Sequence, residues 1–288
     1  MSSFAKKLIN VQFDLAAGGG PGQLTGFRVS ATITRNTGPS FAHANIAIYG
    51  LPLKTMNSLS RIGRQIYGVA NNKVTLYAGD SNTGMALAFV GVIQEAYVDA
   101  NPMPQVAFRI TANTATDYWA VTQQGAKPIS KQGSQAVVPM LSQLAQTMGF
   151  VFQSNGANVN LRNPYYPGNP LTQALQICRH ANLDLWIDKG VMSVTPVGQA
   201  AQSAAVLISK DTIEVGYPSF RQSGVIVKST WNPNINVPGN IQIQSDLTPA
   251  SGTWQVNLVI DEIESLVPHG RWFSTTIGVV GGTPIAPS

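Results

Sequence analysis

Between residues 27 and 34 apolar and polar side chains alternate: Phe27, Val29, Ala31 and Ile33 fall on one face, Arg28, Ser30, Thr32 and Thr34 on the other. A period of two belongs to a strand with one buried face, and Asn36-Thr37-Gly38-Pro39 predicts the turn that ends it. A second strand is expected over 44–49. Gly50-Leu51-Pro52 then opens a segment in which Leu53, Met56, Leu59 and Ile62 recur three apart, the spacing of one helical face, with Gly63 just beyond. Strands are expected again over 74–78, 88–98 and 106–111, the last two joined by the turn Asn101-Pro102-Met103-Pro104. Residues 1–115 thus predict a small antiparallel barrel or sandwich carrying one helix.

The period changes in the middle. From Val137 onward Leu141, Leu144, Ala145 and Met148 form a helical stripe, with Ser134 upstream as a candidate cap and Gly149 as the stop. Pro139 limits how early that helix is hydrogen-bonded. Asn163-Pro164-Tyr165-Tyr166-Pro167-Gly168 reads as loop. Asn169 and Pro170 suit the N-cap and first residue of a second helix, which buries Leu171, Ala174, Leu175 and Cys178 and ends near Asn182. A hairpin follows, 183–187 and 191–195 about the turn Asp188-Lys189-Gly190.

Strand signals return over 224–230, 241–245, 253–263 and 272–279. Their order repeats that of 74–111, and a displacement of 166 residues lays Val256 on Val90 and Pro268 on Pro102. The repeat is faint in identity and visible in pattern. The expected fold class is α+β, mainly β: two antiparallel β-barrel domains, 1–115 and 201–288, flank a mixed α+β domain at 116–200.

Composition adds the setting. A length of 288 residues suits two or three domains rather than one core. Charged residues are 11% of the chain, against roughly 25% in ordinary soluble domains, and 20 Asn with 20 Gln outnumber the 18 basic and 13 acidic side chains together. Hydrophobic residues at 44% exclude disorder. A polar, weakly charged surface suits a subunit that buries much of its outside in an assembly. The basic pI near 9.4 does not point to nucleic acid, because Lys6, Lys7, Arg61, Arg64, Lys127 and Lys131 are scattered pairs without a dense run. No apolar stretch reaches the length of a membrane span, and residues 1–7 lead into no secretory apolar region, so a cytosol-like place of synthesis is expected. The single cysteine, Cys178, excludes an internal disulfide and a thiolate zinc site.

Candidate chemistry is sparse. His43, His180 and His269 fall in separate expected elements, and Cys178 and His180, two apart on a helix, point to different faces. Gly18-Gly19-Gly20-Pro21-Gly22 lacks the Gly-Lys-Ser/Thr end of a phosphate loop. Asp261, Glu262 and Glu264 are the densest acidic group, with Glu95 and Asp99 in a comparable place earlier. On a strand Glu262 and Glu264 share a face, as the carboxylates of a glycosidase do. They carry the alternative reading, a glycan-binding or cell-wall-degrading module. Solvated strand faces look the same, and no flanking aromatic sugar platform is visible. Trp119, Trp186, Trp231, Trp254 and Trp272 are expected to fill cores, with one or two anchoring an interface. No catalytic residue, cofactor or metal ligand is predicted.

The run Ala44-Asn45-Ile46-Ala47-Ile48-Tyr49-Gly50-Leu51, a short helix, then Val74-Thr75-Leu76-Tyr77-Ala78-Gly79 and Phe89-Val90-Gly91-Val92-Ile93 resembles the tail-tube-like barrel of bacteriophage baseplate hub proteins. The closing part is similar to their second barrel, through Gly224-Val225-Ile226-Val227, Asn232-Pro233, Pro238-Gly239-Asn240-Ile241-Gln242-Ile243, Gly252-Thr253-Trp254-Gln255-Val256 and Gly270-Arg271-Trp272. The resemblance implies a non-enzymatic structural protein of the virion, in a tail of the contractile kind. Three hubs with two barrels each form a ring that offers six similar units to a sixfold tail tube and a threefold seat to a central spike. It implies as partners a homotrimer of this chain, the tail tube protein, the spike and other baseplate proteins, and leaves open whether the lumen meets DNA or the tape measure protein. Some such hubs carry long C-terminal extensions; this chain stops at Pro287-Ser288, and a separate spike protein is expected. The expected contact surfaces are the barrel strands and the helical residues Leu53, Met56, Leu59 and Ile62, with Trp272 as an anchor.

Overall fold

The computed structural model describes residues 5–15, 21–36, 42–60, 72–82, 84–101, 103–114, 127–199, 204–211, 215–222 and 224–279. The alternating N-terminal segments form β1 (Lys7–Asp14), the two-residue β2 (Gln23–Leu24), β3 (Arg28–Asn36), β4 (His43–Tyr49), β5 (Lys73–Asp80), β6 (Gly84–Asp99) and β7 (Ala107–Asn113). They stand in the order β2-β1-β5-β6-β7-β4-β3, each pair antiparallel. Helix α1 (Leu53–Leu59) links β4 to β5 and turns Met56 and Leu59 into the core between them. Ile62 lies outside the described residues.

The middle begins with β8 (Ile129–Ser130), β9 (Ser134–Ala136) and α2 (Val137–Thr147). Ser134 belongs to β9 and does not cap α2. The cap position is Ala136, whose side chain accepts nothing, and the Val137 amide donates instead to the Val159 carbonyl at 3.0 Å. After β10 (Val151–Ser154), β11 (Asn160–Arg162) and β12 (Tyr165–Tyr166) comes α3 (Pro170–His180). Here Asn169 caps as expected, its Oδ1 accepting from the Thr172 amide at 2.7 Å. The hairpin β13 (Leu183–Asp188) and β14 (Val191–Pro196) adds β10 in parallel, and both helices bury their stripes on this sheet.

The last third forms β15 (Val206–Ser209), β16 (Ser219–Arg221), β17 (Gly224–Thr230), β18 (Asn240–Gln244), β19 (Gly252–Ser265) and β20 (Trp272–Val279). Its strands stand as β15-β18-β19-β20-β17-β16, matching β1-β5-β6-β7-β4-β3 strand for strand in chain order. One direction differs: β15 is parallel to β18 where β1 is antiparallel to β5. The ladders agree residue by residue. His43↔Asn113 corresponds to Gly224↔Val279, and Tyr49↔Ala107 to Thr230↔Phe273. Both long hairpins slip by one residue at the same point, between Ile93 and Glu95 and between Val256 and Leu258. A shared bulge is a positional feature rather than a compositional one.

Two corrections to the sequence reading follow. The displacement of 166 holds for β7 and β20, but the hairpin connection is longer in the second copy, so Val256 matches Ile93 and not Val90. The partner of Pro268 in that alignment, Pro102, lies outside the described residues. Secondly, the two units share a sheet. β19 uses Gly252–Gln255 numbering for β18 and then runs along β3 from Leu258↔Asn36 to Ser265↔Val29, which fuses all of these strands into one 13-stranded sheet. Among the described residues no ladder closes either unit, because the outer edge of β3 is bonded to β19 rather than to its own β1. The cores remain distinct but interlocked: Trp231 and Ile263 of the last third join the first core, while Val256 and Val259 stay in the last.

Candidate functional site

Across β3, β4, β7 and the far half of β6 one face of the sheet is core and the other is polar. On the polar face Ser30, Thr32, Asn45, Tyr97, Arg109 and Arg271 are among the residues lining a shallow concavity of about 290 Å³. Its charges are paired internally. Arg271 reaches Glu262 Oε1 at 2.8 Å and Glu264 Oε1 at 3.1 Å, and its amide donates to Glu264 Oε2 at 3.0 Å. Ser30 Oγ also donates to Glu264 Oε1, at 3.1 Å, and Arg109 is ion-paired with Asp99. Burial by itself would raise the Glu264 carboxyl, but the Arg271 amide and guanidinium and the Ser30 hydroxyl together hold it below the usual carboxylate range. The general acid of a glycosidase needs a raised value, so this neighbourhood is built against that role.

Where the three parts of the chain meet, the sheet buries an ionic node. The inward positions of β3 are Val29, Ala31, Ile33 and then Arg35, which is 2% exposed. Its Nη2 meets Asp261 Oδ2 at 2.7 Å, and its Nη1 lies 3.5 Å from Asp188 Oδ2 and donates to the Ile235 carbonyl at 2.8 Å. Ser274 Oγ donates to the other oxygen of Asp261 at 2.5 Å. Burial pulls the Arg35 value down, and the two carboxylates more than offset it, leaving the group above its ordinary value and charged. Next door Lys189 donates to the Pro233 carbonyl at 2.8 Å. Burial first, then the Arg35 charge, pushes its ammonium down to about 8.

The sequence-derived contact residues separate. Met56 and Leu59 are buried in the chain's own core, a consequence of the same three-residue spacing that selected them, whereas Leu53 is 64% exposed. Trp272 is half-buried against the first core, edge-on to Trp231 at 5.5 Å between ring centroids, with Lys7 Nζ over its ring. Cys178 is buried, and burial pushes its thiol up to about 12. The His180 Nδ1 shares a hydrogen bond with the Tyr166 hydroxyl. Among the described residues no three His, Cys, Asp or Glu side chains are grouped to hold a metal ion, and no helix is long and apolar enough to cross a membrane.

Sequence reasoning missed the edge strand β16. All three of its residues are exposed, Phe220 at 50%, and Val215 and Tyr217 just before it are exposed as well. The signal available was a short apolar-aromatic run, Val215-Gly216-Tyr217-Pro218-Ser219-Phe220, between charged residues.

The profile of the family described as baseplate hub gp41 matches residues 8–274. No sequence among curated proteins matches the chain. Solved structures share the fold across nearly its whole length. The tail protein from Neisseria meningitidis MC58 superimposes with a TM-score of 0.61 at 9% identity, covering 95% of this chain and 97% of its own. The 43 kDa tail protein of prophage MuSo2 from Shewanella oneidensis gives 0.61 at 8% identity, with the same coverage of 95% and 97%. The E. coli c3393 protein, described as a type VI secretion component with structural similarity to the T4 bacteriophage tail proteins gp27 and gp5, gives 0.58 at 10% identity over 93% of this chain and 76% of that one.

Proposed function

The chain belongs to the baseplate hub gp41 family, and from that premise we propose that three copies form a ring joining a sixfold tail tube to a threefold central spike. The observation that carries this reading is the doubled unit: six strands in one order, repeated with ladders that match in all but the outermost pair and with a matching bulge. A ring of three such chains sets six near-equivalent units around its axis, which suits a sixfold neighbour, while the middle domain occurs only three times and suits a threefold one. In this reading residues 1–115 and 201–288 are the tube-like units and 116–200 the middle domain. The tail is of the contractile kind, the partners are the tail tube protein, a spike and other baseplate proteins, and the place of action is the virion.

The paired charges of the concave face support a structural lumen rather than a catalytic cleft: a passage with few unpaired charges holds DNA or the tape measure protein weakly and lets it slide. Among the described helical residues Leu53 is left to meet a neighbour. Mass photometry of the purified chain, with electron microscopy of the same sample, tests the reading. Three-copy rings are expected; a particle that stays monomeric alone and in intact tails overturns it.

A further inference from the structure

We infer that the outer edge of β16 in one copy adds antiparallel to residues 96–99 of β6 in the next copy, repeating between copies the ladder that β3 and β19 make within one. This rests on the three-copy reading for the number of copies and goes beyond it in naming strands and register.

The internal junction supplies the template. In the doubled unit β16 occupies the place of β3 and β6 that of β19. Within the chain, β3 of the first unit is bonded to β19 of the second. The opposite combination, β16 of the second unit with β6 of a first unit, has no counterpart inside one chain. Both edges are nevertheless available. Among the described residues β16 has a ladder only with β17, and over 96–99 β6 has a ladder only with β7. Among the described residues no strand covers that edge on the core side: α1 buries Met56 and Leu59 inward, just as the segment linking β17 to β18 buries Ile235 and Val237, and the latter leaves the β19 edge open to β3.

Burial makes the same point independently. The ladders Ile33↔Ala44 and Phe220↔Val225 make Phe220 the counterpart of Ile33. Ile33 is fully buried at 0% exposure and Phe220 is 50% exposed, in a position that the sheet elsewhere encloses. An aromatic edge left open is a liability that a matching edge removes.

The equivalence fixes the register. Asp261↔Ile33 becomes Val98 opposite Phe220 of the neighbour, Glu262↔Thr32 becomes Asp99 opposite Ser219, and Ile260↔Thr34 becomes Tyr97 opposite Arg221. Each pairing is chemically sound. Val98 already packs on the first core and offers Phe220 an apolar floor, and an arginine beside a tyrosine repeats Arg28 over Tyr49, 4.5 Å from the ring within the chain. The buried Asp261 of the internal junction has Val98 in its place here, so the core face of the seam forms without desolvating a carboxylate at assembly.

The test is a cross-link in the full chain. Val98→Cys with Phe220→Cys should give, on oxidation, a covalent three-copy band that reduction returns to monomer; Cys178 is buried and does not compete. Ala96→Cys with Phe220→Cys, one diagonal step away, should cross-link about tenfold less, since cross-strand diagonals exceed disulfide reach. Phe220→Asp should abolish the three-copy particle while leaving the monomer's melting temperature unchanged, Phe220 being at the surface. Open multimers without closure would support the edge pairing and overturn the ring of three. Three-copy particles that persist in Phe220→Asp and give no Val98/Phe220 cross-link overturn this inference and leave the ring standing. An unsubstituted chain that never exceeds one copy overturns both.

Discussion

Arg35 shows how a single residue can contradict a local pattern and still belong to it. The alternation through Val29, Ala31 and Ile33 puts position 35 inside, and a charge there was legible from the sequence as an anomaly. Its resolution was not, because Asp261 is 226 residues away and Asp188 belongs to the middle domain. A buried charge is tolerated only with partners, and removing one member leaves the others desolvated and unpaired. Arg35→Met is therefore expected to cost roughly 3–5 kcal/mol of stability, read as a lower urea midpoint. Pairing it with Asp261→Leu should restore a large part of that loss. A single variant as stable as the parent would remove the node from the account. Glu262 and Glu264 teach the reverse: their shared strand face was visible in sequence, but Arg271, which neutralises both, comes into place only through the β19–β20 hairpin.

At the scale of elements, local chemistry was most readable where it is self-contained. The α3 start is an Asn-Pro pair whose cap bond spans three residues, and both sequence and structure place it at Asn169. Asn169→Ala should cost about 1 kcal/mol, seen as a lower denaturation midpoint with an unchanged m-value; no change would mean another donor already satisfies the Thr172 amide. Where a cap is supplied from afar the sequence misled, as at α2, whose first amide is satisfied by Val159 rather than by Ser134. Strand β1 was not anticipated although Ile9, Val11 and Phe13 alternate through it and are buried. Its signal was as strong as that of β3, with the glycine-rich run at 18–22 just beyond to delimit it. Strand β16 carries three residues, too few for a period to register.

The whole molecule is held by exchange between its parts. β19 serves two cores, giving Val256 and Val259 to one and Ile263 to the other, while Trp231 and Trp272 lean on the first. Residues 1–115 expressed alone should therefore lack a cooperative thermal transition by circular dichroism, since β3 loses its neighbour β19 and Arg35 loses Asp261 and Asp188; a sharp two-state melt of that fragment would show the first unit to be independent. The sequence by itself determined the alternation of the strands, the helical stripes of the middle and the order of signals that repeats. Those are short-range properties, set by periodicity and by caps and turns a few residues long. Only the tertiary structure decided that the two repeats share one sheet, that the buried charges close across all three parts, and that Phe220 is left exposed at a position whose counterpart, Ile33, is enclosed. Each depends on strand edges meeting across hundreds of residues, and backbone hydrogen bonding between edges leaves no mark on side-chain identity from which the partner could be read.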